Sequence, residues 1–383
     1  MMNLPSFSIG AVGDISFKGG HEDQATNRIF DNILANFEEV DFMVANLESP
    51  LVRAEIRPVS GKCTLRGCIE WAAVLKKNRI DLVTLANNHM MDYGEEGLFS
   101  TMVALDEAGI SYVGAGKNRQ TACLPAFREI AGRKIAFLAR SSVEVSSLCY
   151  AGEAQPGVAF LDEDELVDSI RQCRNNADLI VVMLHWGMEH YHYPSPQQRS
   201  LASRIVSAGA DILLGHHPHV LQGEERIGDA VVSYSSGNFF FDEFSWSLDG
   251  EEGQQRTNFL TLTEQNRQGV MLEVCHTADG RISTRQIFTE ISEDDMVGLD
   301  NSSVRQKEYE KFCSRLHLPL YDRFWKLYSM KREWDLRLSN QLAPGKIIRN
   351  LYKIRPRHFK ELAIKFRRSG KVSSGKSTNP YEG

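Results

Sequence analysis

Six times in this chain a short apolar run of strand character ends in residues that favour metal ions. The junctions are Gly13-Asp14, Asn46-Leu47-Glu48, Asn88-His89 with Asp92 one helical turn on, His185-Trp186-Gly187, His216-His217-Pro218-His219 and Gly237-Asn238. The runs before them span residues 7–12, 42–45, 82–86, 179–184, 212–214 and 231–234. One such junction carries little weight, because turns use Gly, Asp and Asn everywhere. Six in series describe an α/β sheet whose strand ends converge on one crevice, where open α/β sheets hold their ligands. No Cys stands among them, so the donors suit a hard or borderline divalent ion.

The segments between these runs carry helical patterns at 24–37, 68–77, 95–108, 163–175 and 196–208, with a further strand at 135–139. That βαβ rhythm predicts a largely parallel central sheet. After Ser235 the pattern changes, and 259–263, 270–276 and 282–289 read as a three-strand antiparallel meander. Residues 303–339 are charged and aromatic with apolar positions near helical spacing, which predicts two helices. We therefore divide the chain into a metal-bearing domain at 1–292, a helical extension at 293–345 and a basic tail at 346–383.

The 383 residues are 42% hydrophobic and 25% charged, ordinary for a globular protein. No apolar run approaches the roughly 18–20 residues that cross a bilayer. The first residues, Met1-Met2-Asn3-Leu4-Pro5, carry no basic segment, so no secretory signal is expected. Seven cysteines are scattered without close CxxC pairs, which argues against zinc fingers and disulfides and for reduced thiols in the cytoplasm. Net charge is −6, but eleven Lys and Arg against Glu361 and Glu382 give 346–383 a charge of +9, leaving −15 on the rest. Residues 346–368 add an apolar stripe interrupted by Pro356, the composition of an interfacial helix on an anionic membrane. Docking onto the acidic body is the competing reading. Nucleic acid is disfavoured, since no recognition module is present.

Within the junctions, Gly13 lets the chain turn sharply and brings Asp14 to the sheet edge. Glu48 offers two oxygens and so can bridge two cations. The Asn88 amide oxygen is a neutral donor, leaving His89 to face the substrate with Asp92 on its other ring nitrogen, the standard arrangement of a catalytic acid or base. His185 ends a strand apolar on both faces and needs a partner there. Among the three imidazoles of 216–219 we favour His217 and His219 as ligands, two apart and on one side of an extended turn, with His216 an uncertain third. Glu189, with His190 and His192, reads as a substrate-facing loop. Asn46, Glu189, His216 and Asn238 are the candidates for substrate contact.

Together these segments resemble the CapA family, the poly-γ-glutamate capsule-synthesis proteins of the calcineurin-like metallophosphoesterase superfamily. The resemblance runs from about Ile9 to Asp242. It rests on Gly13-Asp14, Asn46-Leu47-Glu48-Ser49-Pro50, the segment Leu85–Gly94, Gly114-Ala115-Gly116-Lys117-Asn118, His185-Trp186-Gly187, Gly215–Val220 and Tyr234–Phe239. It implies a four-layer α/β/β/α sandwich with a C-terminal helical extension and a dinuclear site at the strand ends. Carried over by position, Asp14 binds a first metal and Glu48 replaces the bridging Asp. Asn88, His185 and His217 serve a second metal, His219 reaches back to the first, and His89 with Asp92 is the catalytic pair. One position departs: Ser16 stands where the superfamily's Asp-x-His motif has its His, so the first position loses a nitrogen donor.

Three activities fit this reading. The leading one is a metal-dependent hydrolase of the phosphoesterase type, using one or two ions of Mn, Fe or Zn, with Ca or Mg as harder alternatives. Its expected substrate is an anionic polymer or a phosphorylated intermediate of capsule or polyglutamate production. The second keeps the metal but uses His/Asp pairs for acid–base work on a peptide, as an epimerase does. The third is a non-catalytic assembly or export factor. The expected location is the cytoplasm, peripheral to the inner membrane if the tail binds anionic lipid. The loops at 53–65, 141–160 and 189–194 should set the substrate and carry no readable signature.

Overall fold

The unbroken apolar run of the strand Leu179–His185 is explained by what covers it. Ile180, Val182 and Leu184 belong to one buried cluster, while Leu179, Val181 and Met183 belong to another. A strand covered on both faces has no reason to alternate polar and apolar residues. The second of those clusters also contains Phe7, Ile9, Ala11, Val44 and Leu82, which come from a different sheet. Two sheets are therefore packed face to face, with helices on both outer sides. In the computed structural model, residues 6–19, 28–59, 62–143, 149–249, 255–278 and 280–341 are described.

In the first sheet Phe7–Ser16, Phe42–Leu47, Ile80–Thr84 and Ser111–Val113 run parallel in that order. On the other side of Phe7–Ser16 the antiparallel strands Gln268–His276, Ile282–Ile291 and Val297–Leu299 follow in turn. Asn238–Phe241 also pairs with the end of Phe7–Ser16, in parallel. The second sheet holds Arg133–Ser141, Leu179–His185, Ile212–His216 and Ala230–Ser233 in parallel, with the antiparallel edge strands Ala126–Ile130 and Glu224–Ile227. Helices Trp71–Lys77 and Gly94–Ala108 cover the first sheet, burying Val74 and Leu98 against Met43, Ala45 and Val83. Helices Glu163–Arg174 and Pro196–Ala208 cover the second. The architecture is the four-layer α/β/β/α sandwich implied by the resemblance.

Local signals account for the helix boundaries. Ser195 and Gln198 form a capping box with Pro196 in the first turn, and Gly209, with φ 118°, ends that helix. Asp162 caps the helix Glu163–Arg174 by accepting from the Asp164 and Glu165 amides.

Several expectations need correction. The parallel strands are divided between two sheets rather than forming one. The meander gains its third strand at Val297–Leu299, not at 259–263, because Phe7–Ser16 already occupies the other edge of Gln268–His276. Gln255–Leu260 instead pairs with Phe244–Asp249 as a separate hairpin. Of the helical pattern at 24–37, residues 24–27 lie outside the described residues, and the helix proper is Leu34–Glu38, after turns that bury Phe30 and Ile33. The two C-terminal helices are present as Ser303–Leu316 and Tyr321–Gln341. Leu316 and Tyr321 join the cluster on the outer face of the second sheet, and the first compact unit runs to Trp325. The basic tail at 346–383 lies outside the described residues. Among the described residues no helix is long and apolar enough to cross a membrane.

The packing also fixes where the polar strand ends go. Positions 179, 181 and 183 face the partner sheet, and so by two-residue periodicity does His185. The same count carries Ile212 and Leu214 to His216, and Val44 to Asn46. Side chains from both sheets thus emerge at one edge of the layer between them. Gly13 permits the closest approach there: a Cβ on it would lie 2.0 Å from the carbonyl oxygen of Gly237, which accepts the Asp14 amide at 3.0 Å. Gly13→Ala should therefore cost about 1–3 kcal/mol of stability, the range for overpacking a filled site. Gly298→Ala, where a Cβ meets nothing within 4 Å, should stay within about 0.5 kcal/mol. Urea unfolding of the two variants checks the contrast.

Candidate metal centre

Asp14 is fully buried at the bulge where its strand meets both Phe42–Leu47 and Asn238–Phe241. Glu48, one residue beyond its own strand, is also fully buried. His219 lies between them, with Nδ1 3.3 Å from Asp14 Oδ2 and Nε2 3.4 Å from Glu48 Oε1. One donor atom from each of the three falls within 4.8 Å of the others. Burial alone would raise the Asp14 carboxyl, but the contacts with His216 and His219 outweigh it and hold the group well below its ordinary value. Glu48 shows the opposite balance. Burial, reinforced by Asp14, keeps its carboxyl well above the ordinary range despite His219. Burial works against a charge on His219 too, yet Glu48 and Asp14 push it up to about 10. A positive charge is thus strongly favoured between these carboxylates.

A second set of donors lies alongside. His185 Nε2 is 2.8 Å from Asn88 Oδ1, at hydrogen-bond distance. The His217 ring packs against His185 at 4.8 Å between centroids, tilted by 54°. Burial, then His219, pushes His217 down to about 3, and burial with His217 nearby holds His185 well below its ordinary value. Both are therefore neutral imidazoles, the form that donates to metals. His217 and His219 do not share an extended turn. Their φ values are +98° and +55°, a left-handed conformation rare for non-glycine residues, and the two rings still meet edge to face at 5.7 Å between centroids.

Orientation comes from amides. Asn46 Nδ2 donates to Asp14 Oδ1 at 2.8 Å, and Asn87 Nδ2 donates to Asn46 Oδ1 at 3.2 Å. Asn87 Oδ1 accepts the backbone amides of His89 and Met90 at 3.1 and 2.9 Å, which shapes the turn that presents Asn88 and His89. Asn238 Oδ1 is 2.9 Å from His219 Nδ1, leaving Nε2 directed at Glu48. Asn266 adds a layer behind it by donating to the His219 carbonyl at 2.8 Å. Of the residues considered for substrate contact, Asn46, His216 and Asn238 are thus buried in this framework, while Glu189 is exposed at its rim. Partial desolvation opposes ionisation of Glu189, but His219 and His217 outweigh it and lower its carboxyl. His192 stacks on Phe312 at 4.9 Å, with Nδ1 3.1 Å from the Leu221 carbonyl.

His89 stands beside the donors with its side chain 14% exposed, so it has access to solvent. Its Nδ1 is 2.8 Å from Asp92 Oδ2, which also accepts the Leu65 amide at 2.6 Å. Asp92 is fully buried, and its other oxygen is ion-paired with Lys62. Sequence reasoning missed Lys62, Asn87 and Asn266. Lys62 sits in a loop with no pattern of its own, and Asn266 reads as an ordinary turn residue; only the Asn-Asn doublet marked Asn87.

These residues fit a divalent cation. His216 Nε2 and His217 Nδ1 are buried without a hydrogen-bond partner, and Glu48 Oε1 and His216 Nδ1 have only ion-pair contacts, at 3.4 Å to His219 and 3.3 Å to Asp14. Buried polar atoms are almost always satisfied, and such a concentration of metal-liking donors fits a cation. Glu48 then strains the metal-free fold. Because its folded pKa is raised, its contribution favours the fold below the ordinary value of 4.5 and is lost as pH rises above it. Glu48→Gln should therefore raise the unfolding temperature in EDTA, increasingly so toward neutral pH, and should shrink the stabilisation that added Mn gives the wild type. Thermal melts with and without Mn across that pH range check both effects.

Residues 8–243 match the family described as bacterial capsule synthesis protein PGA_cap. The chain is 34% identical over 244 residues to the capsule biosynthesis protein CapA of Bacillus anthracis, covering 61% of this chain and 59% of that one. It is 33% identical over 243 residues to the PGA biosynthesis protein CapA of Bacillus subtilis strain 168, covering 62% and 63% respectively. The matched region is thus about three fifths of the length of each of these relatives. Among solved structures, a hypothetical protein from Thermus thermophilus aligns at a TM-score of 0.46 and 14% identity, over 74% of this chain and 99% of that one. The NAD nucleotidase of Haemophilus influenzae aligns at a TM-score of 0.41 and 13% identity, over 80% and 62%. The family match spans more than half of the sequence and takes in every site residue from Asp14 to Asn238, so this chain belongs to the bacterial capsule synthesis protein family PGA_cap.

Proposed function

We propose that the chain is a metal-dependent hydrolase of the phosphoesterase type, acting on an anionic polymer or a phosphorylated intermediate of its synthesis. What carries the reading is the junction of two features: a buried donor set that includes orphaned atoms, and a His89–Asp92 pair open to solvent at its edge. Family membership supplies the biosynthetic setting, capsule or poly-γ-glutamate production.

Asp14, Glu48 and His219 would hold one cation, and Asn88, His185 and His217 a second. The oxygen-rich first set, with Ser16 contributing no nitrogen, suits Mn or a harder ion such as Mg or Ca; the imidazole-rich second set suits Mn, Fe or Zn. When bound, such ions polarise a phosphoryl oxygen and acidify water. His89 does the proton work. Asp92 accepts from Nδ1, so Nε2 is the atom that takes or gives a proton at the substrate. Asn46 and Asn238 keep the donors aimed, and Glu189 at the rim limits which charges approach.

Elemental analysis and a panel of phosphomonoesters and phosphodiesters, with Mn, Fe, Zn and Ca added separately, test the reading. We expect bound metal or activation by one of these ions. Less than about a tenth of an equivalent, with no activity gained on addition, would overturn it. His89→Ala should lower turnover by roughly 10²–10⁴, the range for a positioned acid or base, while metal content stays near that of the wild type. Loss of metal in that variant would reassign His89 as a ligand.

The tail at 346–383 we assign to an anionic membrane surface. Its charge of +9 acts on such a surface at about 1 kcal/mol per Lys or Arg. Co-sedimentation with phosphatidylglycerol vesicles should therefore drop on deleting 346–383 and fall with salt. Equal pelleting of both forms would assign the tail to the protein's own acidic body instead.

A further inference from the structure

The loop that precedes Arg66 is bound to the turn carrying Asn88 and His89 on both sides of Lys62. The Val59 amide donates to the Asp92 carbonyl at 2.8 Å, and the Leu65 amide donates to Asp92 Oδ2 at 2.6 Å. Between these two bonds Lys62 reaches in. Its ammonium is ion-paired with Asp92 Oδ1 and donates to the main-chain carbonyl of Asn88 at 3.0 Å. The Lys62 side chain is 10% exposed and that of Asp92 is 0% exposed, so this is an enclosed pair rather than a surface contact.

A single ammonium therefore touches both ends of the segment that carries Asn88 and His89. At one end it answers the charge of a carboxylate that has no water to do so. That carboxylate is the group on which His89 Nδ1 rests, at 2.8 Å. At the other end it fixes the peptide plane after Asn88, whose side-chain oxygen is 2.8 Å from His185 Nε2. We propose that Lys62 is a positioning residue: by pairing with Asp92 it fixes the His89 tautomer with the proton on Nδ1, and by bonding the Asn88 carbonyl it sets the angle of the turn toward the donors. The assignment rests on the hydrolase reading for its consequence in turnover, but not for its consequence in the ring of His89.

The test uses the full chain in three forms, wild type, Lys62→Met and Lys62→Arg, metal-free for spectroscopy and with Mn added for turnover. Side-chain ¹⁵N NMR of the metal-free protein, with His89→Gln for assignment, reads the His89 tautomer. The wild type should show Nδ1 protonated and Nε2 bare, Lys62→Met a mixture, and Lys62→Arg the wild-type pattern. With p-nitrophenyl phosphate and its diester, Lys62→Met should lower kcat by about 10–100-fold at unchanged KM, the range for a residue that orients a ligand or catalytic group from behind. Lys62→Arg should recover most of that loss. Unchanged ring signals in Lys62→Met, or a rise in KM with kcat intact, would overturn the assignment. If Lys62→Met does not fold, Lys62→Arg still decides: a disturbed ring pattern in a folded Arg variant overturns it. A wild type that turns over neither ester counts against the hydrolase reading, while the NMR comparison still judges Lys62.

Discussion

Two carboxylates, Asp14 and Glu48, lie out of reach of water on either side of one imidazole, an arrangement that favours a positive charge between them. Buried without compensation, each would cost several kcal/mol. His216 and His219 hold Asp14 low, whereas burial holds Glu48 high despite His219. A divalent cation would answer both carboxylates. Glycine at position 13 allows the backbone contact with Gly237 that brings Asp14 in, and left-handed backbone at His217 and His219 sets their rings edge to face. Such strain and unpaired polarity are what a binding site stores and a structural core avoids.

Much of this was legible in the chain. Strand ends were marked by runs of apolar residues that stop at Asp, Asn or His, and the two-residue periodicity within Leu179–Leu184 and Ile212–Leu214 carries on to His185 and His216. The division into two sheets was not legible from the runs alone. A strand buried on both faces looks the same whether a helix or a second sheet covers it, so only the resemblance implied the partner sheet. The false meander strand at 259–263 has a related cause: propensity marks strand character but not which edge is free, and Phe7–Ser16 had already taken it.

Side-chain direction was the least legible layer. His217 and His219 sit two apart and read as an extended turn, but the backbone is left-handed at both, and their rings meet edge to face. Asn46, His216 and Asn238 invited a reading as substrate contacts because polar residues at strand ends usually face the crevice. In the fold they are enclosed, and for Asn46 and Asn238 a histidine or carboxylate is the partner. Lys62 carried no signal at all. Its partner is thirty residues away in sequence, and a lysine in an irregular loop reads as a solvated charge until the carboxylate beneath it is seen.

The charge balance also bears on what the site can admit. Residues 1–345 carry −15, a sum that includes the buried carboxylates Asp14 and Glu48 of the candidate centre and Glu189 at its rim. An anionic polymer or phosphate ester approaching such a surface meets repulsion, focused rather than screened where the walls are of low dielectric. In the proposed centre, cations held by Asp14, Glu48, His185 and His219 would reverse that sign locally. In the proposed hydrolase the ions would then act twice, in the chemistry and in letting an anion reach His89. That double dependence gives a reason for the protein to tolerate a centre so poorly satisfied without them.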